Sequence, residues 1–460
     1  MESHGSLGVR RHVVRREAHL PQPAREALVA LPVVAVALGI GAVWWAGREA
    51  TWDSSLGDVL TVVGRLAGLA GSYLILVEVL LMARVPWVDR LVGMDRLAVW
   101  HRRNGQLVVE LLALHALLIL WGYALVGHES IPKQAGDLIL SYPDVLAATV
   151  ALGLLIAVGV VSARAVRRRV RYHTWYFIHL YTYVAIALSF AHQLANGGDL
   201  ATNRIHRAAW IGLYVLVGGL LVTFRVAVPV RDAFRHRLVV NSVVHESPDI
   251  VSIHLSGRRL GELRAEAGQF FMWRFLTRDG WWQAHPFSLS AAPDGRGLRI
   301  TVKAAGDHTR RLQAVLVGTR VMAEGPYGAF TAGRRRNQKV LLLAAGVGIA
   351  PLRALLESLH GSPGDLVLVY RARSAVDLAL RAELDDLAAR RAFRVLYAVG
   401  HRTPGASWPT LQMLHSIAGP DLGRCDAYIC GPEGFMATAR DALRAAGMPR
   451  RHIHMESFAL

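Results

Sequence analysis

A bundle of six membrane-crossing helices, followed by an antiparallel β-barrel and then a doubly wound, parallel α/β domain, is the fold class this sequence predicts. Three observations predict it. Six apolar runs of about 20 residues, the length a bilayer core demands, all fall before residue 229. Residues 229–330 contain segments that alternate apolar and polar side chains, and from residue 339 onward strand-like and helix-like stretches alternate. The bulk composition agrees: 460 residues, 53% hydrophobic and 19% charged, with a mean hydropathy of +0.31, are too apolar for an ordinary soluble chain.

The apolar runs cover residues 28–46, 59–83, 101–126, 145–163, 172–195 and 208–226. Six crossings return the chain to the side on which it began. That side is set by the arginines. The tail 1–27 and the connections 84–103 and 164–171 each hold five Arg, fifteen in all, whereas the opposite connections hold four basic residues, Arg48, Lys133, Arg204 and Arg207. Basic residues stay in the cytoplasm, so the chain is expected to be a multi-pass protein of the cell membrane with both termini cytoplasmic and membrane lipid as its surroundings. The same arginines account for the formal charge of +18 without nucleic acid as a partner. The N-terminal stretch to Pro23, with Arg10, Arg11, Arg15 and Arg16 and no adjoining small-residue cleavage site, reads as a cytoplasmic tail rather than a removed signal. Two cysteines, Cys425 and Cys430, exclude a disulfide framework and a structural zinc site.

After Pro229 the composition becomes that of a soluble protein. Residues 298–304 (LRITVKA) alternate with period two, as a half-buried strand does, and Gly/Asp turns interrupt the region to about residue 330. Apolar strands at 340–345, 366–370, 393–399 and 427–430, with helical stretches between them, then describe a parallel sheet. The expected domains are 1–27, a basic tail; 28–228, the transmembrane domain; 229–332, the barrel; and 333–460, the α/β domain.

Four histidines lie in the membrane runs, where a polar side chain is expensive. His101 and His115 are in the third run and His179 and His192 in the fifth. Both runs cross in the same direction, so His101 and His179 share the cytoplasmic depth, and His115 and His192 share the outer depth. Spacings of fourteen and thirteen residues are about 21 and 20 Å along a helix, which keeps the two layers in register. Each layer is suited to gripping one haem iron from both faces. Fourteen residues return to within about 40° of one helix face, but thirteen miss by about 140°, so a distortion of the fifth helix or different haem azimuths must absorb the offset. Arg65, toward the outer end of the second run, is placed to meet a haem propionate or an anionic acceptor, or else to pair or snorkel. Glu78 and Glu110 are further intramembrane charges.

Gly346-Val-Gly348-Ile-Ala-Pro351 follows one apolar strand and opens a helix, the context in which a glycine turn cradles a dinucleotide pyrophosphate. Arg371 and Arg373 close the next strand, where the adenosine ribose lies, and two guanidinium groups there favour NADPH over NADH.

The sequence His285-Pro-Phe-Ser-Leu-Ser290, after an aromatic-rich strand at 270–275, resembles the flavin-binding motif of the ferredoxin-reductase-like domains in NADPH oxidases and ferric reductases. The resemblance extends over nearly the whole chain from the second helix on, since that family also joins six helices with two His pairs to such a domain. It implies that His285, Pro286, Phe287 and Ser288 line the flavin of FAD, with Ser288 hydrogen-bonding a ring heteroatom. It implies that Gly306, Asp307, His308 and Thr309 hold the FAD pyrophosphate. Cys430-Gly431-Pro432-Glu433 resembles the family motif beside the nicotinamide, with the Cys430 sulfur positioning the ring rather than attacking it. Family members commonly end on an aromatic residue packed against the flavin; here Phe458 is the candidate, although the final residue is Leu460.

Together these features imply a transmembrane flavohaem oxidoreductase that passes electrons from NADPH through FAD and two b-type haems to O2 or Fe3+ outside. Iron held by two imidazoles has no vacant position, so the last step is outer-sphere and suits either acceptor. No calcium-binding loop signature accompanies it. The rival class is a transporter or proton channel with a nucleotide-sensing domain; a voltage sensor would show Arg at every third position of one helix, and 145–163 has none.

Overall fold

A computed structural model describes residues 22–46, 55–167, 169–170, 172–400, 408–419 and 422–456. Most of the basic tail and Phe458 therefore lie outside the described residues. The chain divides into two compact units, 1–77 with 106–207 and 78–105 with 208–460.

Among the described residues, six helices are long and apolar enough to cross a bilayer. They are α1 (Gln22–Ala46), α2 (Leu56–Met82), α3 (Met94–Gly127), α4 (Val145–Ser162), α5 (Tyr172–Asn196) and α6 (Arg204–Val222). Apolar side chains such as Leu117 and Val215 stay 63% and 67% exposed, a pattern suited to lipid tails and costly in water. In the first unit, Gly57, Gly64, Gly68 and Gly71 of α2 all face α3. A Cβ on Gly57 would stand 2.9 Å from the Gly122 carbonyl and one on Gly71 2.7 Å from Leu112, so the missing side chains are what let the two backbones approach. Ala151 and Leu155 of α4 and Ala185 of α5 close a buried cluster with Ile75 and Val108. The helix α5 runs as α-helix from Tyr172 to Asn196, so no π or 3-10 turn interrupts it between His179 and His192.

The change of composition at Pro229 does not end the sixth helix. A π-helical turn, Thr223–Ala227, and a further helix α7 (Val228–His236) continue it. Pro229 falls in the first turn of α7, where no backbone N–H is needed.

Six strands follow: β1 (Leu238–Ser247), β2 (Ile250–Ser256), β3 (Phe270–Phe275), β4 (His285–Ser288), β5 (Gly297–Lys303) and β6 (Arg320–Tyr327). They form one antiparallel sheet in the order β4-β3-β6-β1-β2-β5. Its edge strands meet at a single bridge, Leu289 to Ile300, so the expected barrel takes the form of an open six-stranded sheet joined at one point. Alternation in β3 turns Phe271, Trp273 and Phe275 into the core, as period two requires. In β5 that expectation fails: five consecutive residues are buried, including Arg299 and Thr301, because the polar face of this strand is covered as well. A short helix, α8 (Asp307–Leu312), connects β5 to β6.

The last region is a parallel sheet of β7 (Lys339–Ala345), β8 (Leu366–Ala372), β9 (Arg394–Val399), β10 (Cys425–Cys430) and β11 (Ile453–Glu456), in the order β11-β10-β7-β8-β9. Helices α9 (Ile349–Ser358) and α10 (Arg381–Arg391) pack on one face, with Leu342, Leu368, Leu352 and Leu384 in a shared core. On the other face α11 (Leu411–Ala418) and α12 (Glu433–Ala445) bury Leu341, Leu343, Ile429, Met436 and Leu443. Central strands buried on both faces read as unbroken apolar runs, which is why they were visible in the sequence.

One buried charge ties the entry of this sheet together. Asp426 accepts from the backbone N–H groups of Arg336 and Asn337 at 2.9 and 2.5 Å and lies 3.1 Å from His454 Nε2. Burial pushes its carboxyl up, but the hydrogen bonds from His454, Arg336 and Asn337 outweigh burial and hold it below the ordinary 3.8. A depressed folded-state value means the stabilisation is complete above the ordinary carboxylate range and is lost as pH falls through the folded value. Asp426→Asn is therefore expected to cost about 2 kcal/mol near neutrality. In thermal melts of the detergent-solubilised chain, the gap between parent and variant should shrink as pH falls from about 6 to about 3; a gap independent of pH would contradict this account.

Candidate functional site

The two outer histidines come together. The rings of His115 on α3 and His192 on α5 have centroids 6.5 Å apart and planes inclined at 62°. His115 Nδ1 donates to the Gly64 carbonyl of α2 at 2.8 Å, which fixes the tautomer and leaves Nε2 with its lone pair. A Cβ at position 68 would stand 2.6 Å from the same Nδ1, so Gly68 makes the space the ring occupies. His192 Nδ1 lies 3.3 Å from the Asn196 side-chain nitrogen, which also donates to the Pro143 carbonyl at 2.7 Å. Nearby in the sequence order of α2, Arg65 donates to the Tyr123 hydroxyl at 3.3 Å, and the Tyr123 and Tyr142 rings lie 6.3 Å apart.

His101 and His179 belong to different compact units. His101 Nδ1 is 2.8 Å from Glu78 Oε1, and Asn104 donates to the other oxygen of that carboxylate at 2.7 Å. A carboxylate at the Nδ1 of a histidine is the arrangement that orients ligating imidazoles. His179 stacks on Trp175 with centroids 5.0 Å apart. Glu110 accepts from Gln106 one turn away.

In the antiparallel sheet, β4 carries His285, Pro286, Phe287 and Ser288, paired to β3 in the register Phe270 with Ser288 and Phe271 with Phe287. Trp273 Nε1 donates to the Phe287 carbonyl at 2.8 Å and pins the strand. The Ser288 hydroxyl is buried and has no hydrogen-bond partner among the described residues. A buried hydroxyl left so costs free energy unless a bound group completes it. His285 stacks face to face on His308 at 3.8 Å, bringing the two halves of the predicted flavin site together, and His308 Nδ1 is 3.0 Å from Gln283. Thr309 Oγ1 accepts from Ala305 and Gly306 at 2.9 Å each, so this hydroxyl shapes the turn, while Asp307 pairs with Arg310 at 2.6 Å.

In the parallel sheet, Gly346 adopts φ +55° and opens a 3-10 turn, Gly346–Gly348, between β7 and α9. A Cβ at Gly348 would lie 2.2 Å from the Cys430 carbonyl. Only glycine brings the turn against the end of β10, so Gly348, Cys430 and Gly431 form one surface; Pro351 is buried in the first turn of α9. The Cys430 thiol is fully buried and donates to the Glu456 carbonyl at 3.5 Å. Burial, and then the neighbouring Glu456, push it well above the ordinary thiol range, so it stays protonated and is no nucleophile. Pro432 precedes α12 as its N-cap. Arg371 and Arg373 both sit at the end of β8; Arg371 lies over the Trp408 ring at 4.9 Å and Arg373 is exposed.

A second cluster links the segment after α2 to the flavin sheet. Arg84 pairs with Glu324 of β6 at 2.5 Å and lies 5.5 Å from the Tyr327 ring centre, while the Tyr327 hydroxyl donates to Glu324 at 2.9 Å. The sequence reading missed Gly64, Gly68, Arg84 and Glu324, and it marked Glu78 as an intramembrane charge without its pairing to His101. Glycines on one helix at three- and four-residue spacing were a usable signal for the first two; the others depend on contacts across long separations.

A membrane oxidoreductase with flavin-type and dinucleotide-type sheets is the class this arrangement defines. Family models agree in chain order: ferric reductase like transmembrane component over residues 67–190, FAD-binding domain over 237–331, and oxidoreductase NAD-binding domain over 342–441. The chain belongs to the family that joins a ferric-reductase-like transmembrane component to FAD- and NAD-binding reductase domains. It is 36% identical to the ferredoxin reductase component of 3-ketosteroid-9-alpha-monooxygenase of Mycolicibacterium smegmatis, covering 48% of this chain and 65% of that one. It is 33% identical to a flavohemoprotein of Chromobacterium violaceum (46% and 58% covered) and 30% identical to ferredoxin--NADP reductase B of Sorangium cellulosum (37% and 77% covered). The chain thus spans less than two thirds of the length of the first two of these relatives.

Gly68→Val should evict the His115 ring from its seat and destabilise the helix pair by about 1–3 kcal/mol, read as a lower melting temperature. Gly68→Ala, which also meets the ring, should fall between it and the parent. An unchanged melt for the valine variant would contradict the packing described.

Proposed function

We propose that this chain moves electrons across the membrane, from cytoplasmic NADPH through FAD and two b-type haems to O2 or Fe3+ on the outer side. The observation that carries this reading is the His115–His192 pair. Two imidazole nitrogens that held one metal ion at about 2 Å each would bring their ring centres to about 6 Å, and the observed 6.5 Å fits. Nδ1 of His115 bonded to Gly64 presents Nε2, the nitrogen that such a metal takes. The Ser288 hydroxyl, buried and unsatisfied, fits a flavin heteroatom in the same way.

Bound in these places, FAD turns a hydride donor into a source of single electrons and haem iron relays them one at a time. The chain's own residues hold and orient these groups. His115 with His192, and His101 with His179, hold the outer and inner haems; Glu78 orients His101. His285, Pro286, Phe287 and Ser288 line the flavin, Gly306, Asp307, His308 and Thr309 border its pyrophosphate, and Phe458, outside the described residues, is the candidate aromatic against it. Gly346, Gly348, Pro351, Gly431 and Pro432 shape the nucleotide cleft, Arg371 and Arg373 select the 2′-phosphate of NADPH, and protonated Cys430 shapes the nicotinamide pocket without bonding to it. Arg65 lends positive charge at the outer level. Fifteen cytoplasmic-side arginines against four basic residues opposite put both termini, and therefore the nucleotide site, inside the cell.

Each NADPH leaves as NADP+ and a proton and delivers two electrons, which reduce two O2 to two superoxide or two Fe3+ to two Fe2+. An iron held by two imidazoles would offer no vacant site, so the acceptor would take its electron at the protein surface. The purified chain should show a haem Soret band that shifts on reduction. His115→Ala or His192→Ala should leave flavin bleaching by NADPH intact while outer acceptor reduction falls at least ~100-fold, a loss of a whole relay step. A folded parent without a Soret band, or variants with unchanged acceptor reduction, would sink the proposal.

A further inference from the structure

The polar face of β5 is buried because four charges close over it. Arg299 donates from Nε to the Ser290 hydroxyl at 3.1 Å, from Nη2 to the Ser290 carbonyl at 2.8 Å and from Nη1 to Glu383 Oε1 at 2.7 Å. Arg353 of α9 reaches Glu357 at 2.6 Å, the other oxygen of Glu383 at 3.0 Å and the Ser290 carbonyl at 3.4 Å. Glu357 in turn accepts from the Ala292 N–H at 2.6 Å. The two guanidinium side chains are only 7% and 11% exposed. Two cations meet two carboxylates, and burial together with Arg299 depresses the adjoining His254, keeping it neutral, so the cluster balances. Burial pushes Glu383 up, but the hydrogen bond and charge of Arg299, with Arg353, hold it ionised below its ordinary value.

The location of this cluster matters more than its strength. Ser290 follows the flavin strand β4 by two residues, and Arg353 lies two residues past Pro351 in the helix that the glycine turn opens. Both guanidinium forks converge on one carbonyl and one carboxylate, a geometry a point charge does not reproduce. Buried ion clusters of this kind add little net stability over apolar packing. Hydride transfer, in contrast, demands reacting atoms about 3–3.5 Å apart and loses about 100-fold for a displacement of 1 Å.

We infer that Arg299, Glu383 and Arg353 are positioning residues that lock the flavin strand to the glycine turn and so set how the nicotinamide meets the flavin. This rests on the proposed NADPH-to-FAD hydride step, in which NADPH becomes NADP+ and the flavin takes up the hydride and a proton from water.

The test uses the full chain, loaded with FAD, and two variants: Glu383→Gln, which removes a charge, and Arg299→Lys, which keeps it but loses the fork. Both should bind FAD and NADPH within about twofold of the parent, reduce flavin at least ~10-fold more slowly at saturating NADPH, and show a larger isotope effect with 4-deuterated NADPH. Reoxidation of reduced flavin by ferricyanide should not change. Without nucleotide, backbone hydrogen exchange should speed up at 288–292 and 349–358 together; Glu383→Asp should recover part of both losses. Parent rates, isotope effect and exchange in Arg299→Lys would overturn the positioning role while leaving the hydride step in place. A parent whose flavin is not bleached by NADPH would overturn the underlying function, and the positioning role with it. Should Glu383→Gln fail to fold, Arg299→Lys alone decides.

Discussion

The close approach of α2 to α3 is the constraint on which the rest of the membrane half depends. An imidazole inside a bilayer has to be satisfied by protein, and its ring must also be held at one depth and one angle. Gly64 supplies a bare carbonyl for His115 Nδ1 and Gly68 supplies the volume beside it. Either position occupied by a side chain would push the helices apart or turn the ring. The histidine that the sequence makes conspicuous is thus useful only because two inconspicuous glycines on another helix accommodate it. Glu78, next to His101, does the same work by charge instead of space.

In the soluble half the constraint is the meeting of two sheets built on different rules. The antiparallel sheet buries aromatic residues on alternate positions of β3, whereas the parallel sheet buries continuous apolar strands between two layers of helices. Apolar packing alone leaves such layers free to slide. The charge cluster around Ser290, in which Arg353 and Glu383 come from helices of the parallel-sheet region, removes that freedom beside β4. Directional contacts there fix a distance, which nonpolar area cannot do.

Much of this was legible in the sequence, and the legible parts share a cause. Six spans, the parallel strands and the strand bearing His285 are encoded by local periodicity, which one stretch of chain carries by itself. The closure of a barrel depends on which edges find each other, and among the described residues the edges meet at the Leu289–Ile300 bridge, where Ser290 N–H donates to the Arg299 carbonyl. The end of the sixth helix misled because composition changes at Pro229 while a proline in the first turn of α7 is compatible with helix. The alternation of residues 298–304 pointed to one wet face; Arg299 is instead buried by partners 54 to 84 residues away, Arg353 and Glu383. Of the candidate site, the four membrane histidines and the glycine turn were readable as residue types at defined spacing, while the flavin residues came from the family resemblance. Glu78 stood out as an intramembrane charge, but its pairing with His101, like the roles of Gly68, Arg84 and Glu324, was not readable, since each acquires meaning only from a neighbour remote in sequence.

In the proposed electron path, an iron held by two imidazoles would leave acceptor choice to the protein surface at the outer level rather than to the metal. There α2 offers Arg65, whose guanidinium is held by the Tyr123 hydroxyl, with the ring of Tyr142 nearby. A fixed positive charge attracts chelated iron, which is usually carried as an anionic complex, and it equally stabilises the negative charge that develops on O2 as it leaves as superoxide. The electrostatics therefore favour either product over none, and discrimination falls to size: an iron chelate needs an open approach, dioxygen does not. On the proposed reading, selectivity would reside in the helix ends and loops around Arg65 and Tyr123, and the same electron path beneath them would serve either acceptor.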